Sequence, residues 1–323
     1  MGAQPSPPRG WRAIPTIAAR TVRGAIEDRV FGLGGEVAFF LLLSFPPALL
    51  AVLGGIAYVA ELLGPHVTER IRQQVLDVGG AFLTERTRDE LLRPALDSIL
   101  REARPAVVSL GIVLTLWSAS RATGRTMEAV NIAYDAEELR SGWRRRLLAL
   151  ALTVGGMLTI VVVVPVLVAG PGLLEAVARP LGIGEALGAA WRFLYWPIVA
   201  LLGIGLLASF FHFSTPWRTP WRRDLPGAAL AAVAWILGGV ALRFYASRFV
   251  EGSVFGPLAA PVVFLLWLYV LAVAVLLGAE LNAEIEKAWP TSEALRHRRE
   301  ERRRREDRAR EEAAADGEVL QGM

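Results

Sequence analysis

The chain has 323 residues, 54% of them hydrophobic, with a formal net charge of +4 and no cysteine. Soluble globular chains are about 45–50% apolar, so this composition, with a mean hydropathy of +0.41, points to a membrane protein. The lack of cysteine excludes structural disulfides, iron–sulfur clusters and cysteine-zinc sites, and leaves the redox compartment undetermined.

Residues 4–10 are proline-rich and too polar for a signal peptide, so no cleavage is expected. Over 11–35, Ile14, Ile17, Val22, Ile26 and Val30 recur at helical spacing among Arg, Asp and Glu. This predicts a helix lying in the headgroup layer, within an N-terminal cytoplasmic or interfacial segment, 1–35. Six hydrophobic segments follow, at 37–60, 105–120, 147–170, 191–213, 227–250 and 255–282, each near the ~20 residues that cross a bilayer core. They define a six-span membrane domain, 36–285.

Span one carries Ser44, Pro46 and Pro47 in mid-segment. Proline there frees backbone carbonyls and predicts a kink, read either as the edge of a cavity or as a packing irregularity. The insert 61–104 holds seven Arg and eight acidic residues, with Leu91, Leu92, Ala95, Leu96, Ile99 and Leu100 at helical spacing. It is expected to form amphipathic helices capping the outer face. Span two, from Pro105 to Ala119, is short and is closed by Arg121, with a polar turn expected over Ser118–Thr126 at the interface. Span three, Leu147–Gly170, has no charge at all, which a soluble amphipathic helix would not tolerate. Gly227, Gly238 and Gly239 in span five permit close helix packing. Trp196, Trp217, Trp221, Trp267 and Trp289 are placed as an aromatic belt. The tail, 286–323, is Arg- and Glu-rich and reads as a solvated helix that frays. Its stretch Arg296–Arg310 could contact anionic lipid or protein, although the interleaved acids suit a topology anchor better. The expected fold class is therefore an all-α polytopic membrane bundle of six transmembrane helices plus amphipathic external and interfacial helices.

Cytoplasmic loops are enriched in Arg and Lys. The N-terminal flank, the 121–146 loop, the 214–226 loop and the tail are all rich in Arg, whereas 171–190 has only Arg179 and 251–254 has no basic residue. Both termini are accordingly expected in the cytoplasm of a bacterial cell.

Ionisable groups at membrane depth are costly and mark candidate sites. After span two come Arg121, Arg125, Glu128, Asn131 and Tyr134; Glu280 and Asn282 close span six on the same side. Pairing of Glu280 with Arg121 or Arg125 is expected, either as a helix staple or as part of a transport mouth. Catalysis is not expected. The three histidines fall apart in the predicted topology, and no metal-ligating or nucleophile motif is present. No cofactor, metal or specific nucleic acid is implied; membrane lipids are the expected partners.

Several strings resemble the YihY / virulence factor BrkB family of bacterial inner-membrane proteins. They are Glu36-VAFFLLLSFPPAL-Leu50; Ser120–Tyr134, with Gly124, Ala129, Asn131 and Tyr134; Pro220–Ala246, with Trp221, Pro226, Gly227, Ala228, Trp235 and Tyr245; and Phe255–Glu284, with Gly256, Leu258, Trp267 and the ending Gly278-Ala279-Glu280-Leu281-Asn282. Phe255, Ala259 and Phe211-His212 depart from the family's usual Tyr, Gly and Tyr-Arg. The resemblance covers about 20–285. It implies an inner-membrane bundle; some members are associated with serum resistance and envelope lipid export, and the label ribonuclease BN attached to the family is widely regarded as an error. Three functions follow as expectations: handling of an envelope lipid or other amphipathic molecule, a non-catalytic scaffold, and, disfavoured, a membrane-bound ribonuclease.

Overall fold

The computed structural model describes residues 13–63, 105–136, 141–178, 184–215, 217, 219–249 and 256–303, with isolated positions at 69, 73, 76, 89, 93, 94, 306 and 310. All regular structure among them is helical. The proline-rich start, the 251–254 loop and, save for 61–63 and single positions, the insert 61–104 lie outside the described residues.

The expected interfacial helix is α1 (Ala13–Glu27). Ile17, Thr21 and Ala25, four residues apart, are buried against the bundle, while Val22 and Ile26 point outward and are exposed. The helix ends earlier than expected, and α2 (Val30–Leu63) starts before Glu36. The cause is Arg29, whose φ of 55° breaks the helix axis. Its carbonyl then accepts the Gly32 and Leu33 N–H groups at 2.8 and 3.0 Å, starting a new helix that turns Val30 inward.

Pro46 and Pro47 lie inside α2 without ending it. Ser44 Oγ donates to the Leu41 carbonyl at 2.7 Å. Opposite, α3 (Pro105–Ala133) brings Gly111 so close that a Cβ there would sit 3.0 Å from the Pro47 carbonyl oxygen. The polar turn expected at Ser118–Thr126 is instead continuous helix. Its hydroxyls bond back within the helix, Ser118 to the Leu114 carbonyl at 2.7 Å and Thr126 to Ala122 at 2.9 Å, so they do not compete with it. The helix closes at Asp135, φ 51°, where the Ala136 N–H reaches the Asn131 carbonyl at 3.0 Å.

After α3 come α4 (Gly142–Ala178), α5 (Gly184–Ser214), a 3-10 turn (Trp221–Arg223), α6 (Leu225–Phe249) and α7 (Gly256–Ala288). A further helical stretch over 292–303 is α8. Five helices, α2, α4, α5, α6 and α7, are long and apolar enough to cross a membrane. The remaining expected span, span two, corresponds to α3, whose 29 residues extend roughly 43 Å at 1.5 Å per residue but carry Arg121, Arg125 and Glu128 in the second half.

The centre of the bundle is α7, which packs against α1, α2, α3 and α6 and is the most enclosed of the five spans. Small residues set the approach. Carbonyl oxygens of Gly227 and Gly278 sit where any Cβ on the opposite glycine would fall, so α6 and α7 touch through their backbones. Gly238 likewise receives Val270, whereas Gly239 faces open space. Trp235 Nε1 donates to the Leu271 carbonyl at 2.9 Å, and Thr123 and Thr153 hydroxyls join α3 to α4 at 2.8 Å.

Two expectations are corrected. The tail does not begin as a solvated helix: Ala294, His297 and Glu301 form one buried face of α8. Trp217, placed in the aromatic belt, is buried in the core, because α8 covers it; its ring lies 4.8 Å from that of His297.

Candidate functional site

The ends of α3, α5 and α7 and the starts of α6 and α8 meet at one end of the bundle, here termed basal. Their apolar contacts include Val130, Tyr134, Phe211, Trp217, Ala228, Ala283 and Ala294. Into this apolar setting the sequence places a dense set of polar groups. Glu280, Asn282, Glu286, Asp224, Asn131 and His297 are all buried. Each has to be paired or hydrogen-bonded, or the fold carries its desolvation cost.

Asn282 is fully engaged. Its Oδ1 accepts the Gly227 N–H at 2.8 Å and its Nδ2 donates to the Asp224 carbonyl at 3.1 Å, fixing the first turn of α6 on α7. The Gly227 N–H is one of the donors a helix start leaves open, so a side chain from α7 serves as its cap. Asn282→Leu is expected to lower stability by ~1–3 kcal/mol, because it strands that donor. Thermal unfolding of the purified variant in detergent checks this.

Arg223 donates to Glu286 at 2.7 Å and also to the Trp289 carbonyl. Glu286 Oε1 accepts both the Thr291 N–H at 2.8 Å and its hydroxyl at 2.6 Å, so one carboxylate ties the 3-10 turn, α7 and the approach to α8. Asp224, almost without exposure, has Thr219 Oγ1 and His212 Nδ1 each at 3.4 Å. Lys287 spans Asp135 at 2.8 Å and Glu284 at 3.1 Å, joining α3 to α7. His297 is 3.3 Å from Glu301 and packs its ring at a tilt against Trp217, which in turn meets Tyr134 edge to face at 5.6 Å.

The expected pairing of Glu280 with Arg121 or Arg125 is not found. Arg125 reaches Glu128 at 3.1 Å and Glu36 at 3.6 Å. Arg121 is exposed, lies 5.2 Å over the Trp117 ring and forms no ion pair among the described residues. Both are exposed on α3. Glu280 points to α1: a Cβ on Gly24 would lie 2.9 Å from its Oε2, and the Asp28 carboxyl is within hydrogen-bonding reach. Burial pushes the Asp28 carboxyl above the usual range, against the pull of the Glu280 contact and of Lys287.

The predicted residues thus divide. Asn131, Tyr134, Glu280 and Asn282 come together in the basal interior; Arg121, Arg125 and Glu128 lie on the outward face of α3; Ser44, Pro46 and Pro47 sit on α2, along its contact with α3. Asp28, Asp224, Glu286, Lys287 and His297 join the interior group and are not singled out as site residues by sequence reasoning. The four-residue spacing of Gly24 and Asp28, and the 294/297/301 spacing in the tail, are the signals that could have found two of them.

Such a bundle, apolar outside and polar at one end of its interior, defines a polytopic helical membrane protein. The chain belongs to the virulence factor BrkB family, whose model matches residues 21–304. It is similar to the putative ribonuclease-like protein YfkH of Bacillus subtilis (strain 168), 26% identical over 253 residues, covering 78% of this chain and 88% of that protein. It is also similar to a UPF0761 membrane protein of Tolumonas auensis (strain DSM 9187 / NBRC 110442 / TA 4), 24% identical over 286 residues, covering 84% and 86%. No solved structure matches the chain significantly.

Proposed function

We propose that this protein sits in a bacterial inner membrane with both termini in the cytoplasm and moves an amphipathic envelope molecule with an anionic headgroup, such as a phospholipid or lipid-linked precursor. The observation that supports this reading is the outward pair on α3. Arg121 is an exposed guanidinium over a half-exposed Trp117, uncommitted to any carboxylate among the described residues, on a helix that packs along the proline-bearing α2. A guanidinium beside an aromatic ring in an apolar wall is suited to a phosphate and costly to keep there otherwise. Arg125, held by Glu36 and Glu128, stands one turn away.

In proteoliposomes carrying a headgroup-labelled fluorescent phospholipid, the wild-type protein is expected to expose inner-leaflet label to an external quencher. Arg121→Ala with Arg125→Ala is expected to abolish that excess. Equal quenching by wild type and double variant would remove the two arginines from any such route.

A scaffold reading has one observation in its favour. With one face of α8 docked, Arg296, Arg299, Arg302 and Arg303 are left exposed on the others, available to anionic lipid or protein. Deleting 292–323 separates the readings: a scaffold loses its partners, a transporter keeps its flux. The name of the Bacillus relative invites a nuclease reading, but among the described residues no three His, Cys, Asp or Glu side chains gather as a metal-binding group. Hydrolysis of RNA by pure protein, lost on Asp224→Asn, would reinstate it.

A further inference from the structure

We propose that Asp28 and Glu280 form a proton-binding site in which two carboxyl groups, one from the α1–α2 junction and one from α7, share a single proton. Glu280 is 1% exposed, and neither of its oxygens meets a hydrogen-bond donor among the described residues. The α1 residue that Glu280 Oε2 approaches is Gly24, and one turn on, where its N–H bonds the Gly24 carbonyl at 2.8 Å, stands another acid, Asp28, which interacts with Glu280. Gly24 leaves room for this approach, since a Cβ there would press on Glu280 Oε2 at 2.9 Å. Two acceptors cannot satisfy each other while both are ionised, and a second negative charge beside the buried Glu280 carboxylate is repelled. One proton, taken from water, resolves both difficulties: it makes one carboxyl a donor and leaves the pair with a single negative charge.

The surrounding charges suit that count. From α1, Glu27 adds negative potential; from the end of α3, Asp135 does the same; on α7 itself Glu284 adds and Lys287 subtracts. Lys287 is held between Asp135 and Glu284, so it offsets the site's negative charge from a distance without an ion pair to Asp28 or Glu280 among the described residues. Glu36 of α2 is engaged with Arg125, and Asp224, beside the start of α6, with His212 and Thr219. The site lies where α1 rests on the bundle, so the proton holds against the central span an amphipathic helix whose exposed side carries Val22 and Ile26 beside the Arg23–Glu27 ion pair.

Infrared difference spectra of the purified full-length protein in lipid vesicles, stepped from acid to alkaline buffer, test this. The wild type is expected to keep a protonated-carboxyl carbonyl band at neutral pH. Glu280→Gln is expected to remove the band, and Asp28→Asn to move its titration midpoint by at least about one pH unit, since the partner charge is gone. A wild-type spectrum without that band at neutral pH overturns the site without recourse to any variant. A band lost in Glu280→Gln but unmoved in Asp28→Asn places the proton on one carboxyl and overturns the sharing. A midpoint displaced by exchanging K⁺ for Na⁺ at fixed ionic strength makes a metal cation the ligand and overturns the assignment as well.

Discussion

Gly278→Val is expected to be the most damaging single substitution in the membrane domain. A Cβ at position 278 falls on the Gly227 carbonyl, with Ala231 Cβ 3.1 Å away, and a Cβ on Gly227 meets the Gly278 carbonyl and the Asn282 side chain. Overpacking usually costs ~1–3 kcal/mol because flexible neighbours shift. Here the obstruction is backbone on both sides, so relief requires separating α6 from α7. Separation also breaks the Asn282 bonds to Gly227 and Asp224 and the Trp235 bond to Leu271. The expected result is loss of monodisperse protein in detergent or a thermal midpoint far below wild type. Gly239→Ala supplies the contrast: nothing lies within 4 Å of its added Cβ, so it should melt like wild type or slightly above it, as alanine is the better helix former.

The second large effect is expected from Arg223→Ala. Glu286 has 3% side-chain exposure and loses its only ion-pair partner among the described residues. Breaking a buried pair by removing one member costs ~3–5 kcal/mol, because the remaining charge stays desolvated. Thermal unfolding should show most of that loss. The double variant Arg223→Met, Glu286→Leu leaves neither charge of this pair buried alone and should recover much of the midpoint. It should not recover the tail: without Glu286 the Thr291 N–H and hydroxyl lose their acceptor. Tryptic cleavage at Arg296 and Arg298 is therefore expected to stay fast in the double variant while the bundle melts nearly as wild type does. A midpoint as low as that of the single variant would show that the pair stabilises by more than charge compensation.

The spans were legible because their signal is local. An uncharged stretch such as Leu147–Gly170 has one stable solution in a bilayer, and Gly227 announced a close approach before its partner was known. Partner identity was not legible. Charge complementarity assigned Glu280 to an arginine, yet its carboxyl faces Gly24 of α1, and the side chain it interacts with there is an acid, Asp28. Which helices are neighbours is decided by long-range packing, on which the spacing of charges along one helix is silent. The same limit applied to the tail, where the Arg and Glu content masked the Ala294, His297 and Glu301 face. Composition averages over a helix, whereas burial selects one side of it.

The contact of α1 with α7 has a consequence for synthesis. A ribosome delivers α1 first and α7 as the last of the spans, so every earlier span can enter the membrane while the seat for Ala25 and Asp28 does not yet exist. The nascent bundle carries an open Gly227 face and an undocked amphipathic helix until the final span arrives. Arrival of α7 thereby seats α1 and covers the Gly227 face together, and a chain stopped before Gly256 exposes the two surfaces by which a membrane quality-control protease could tell it from one that has received its last span.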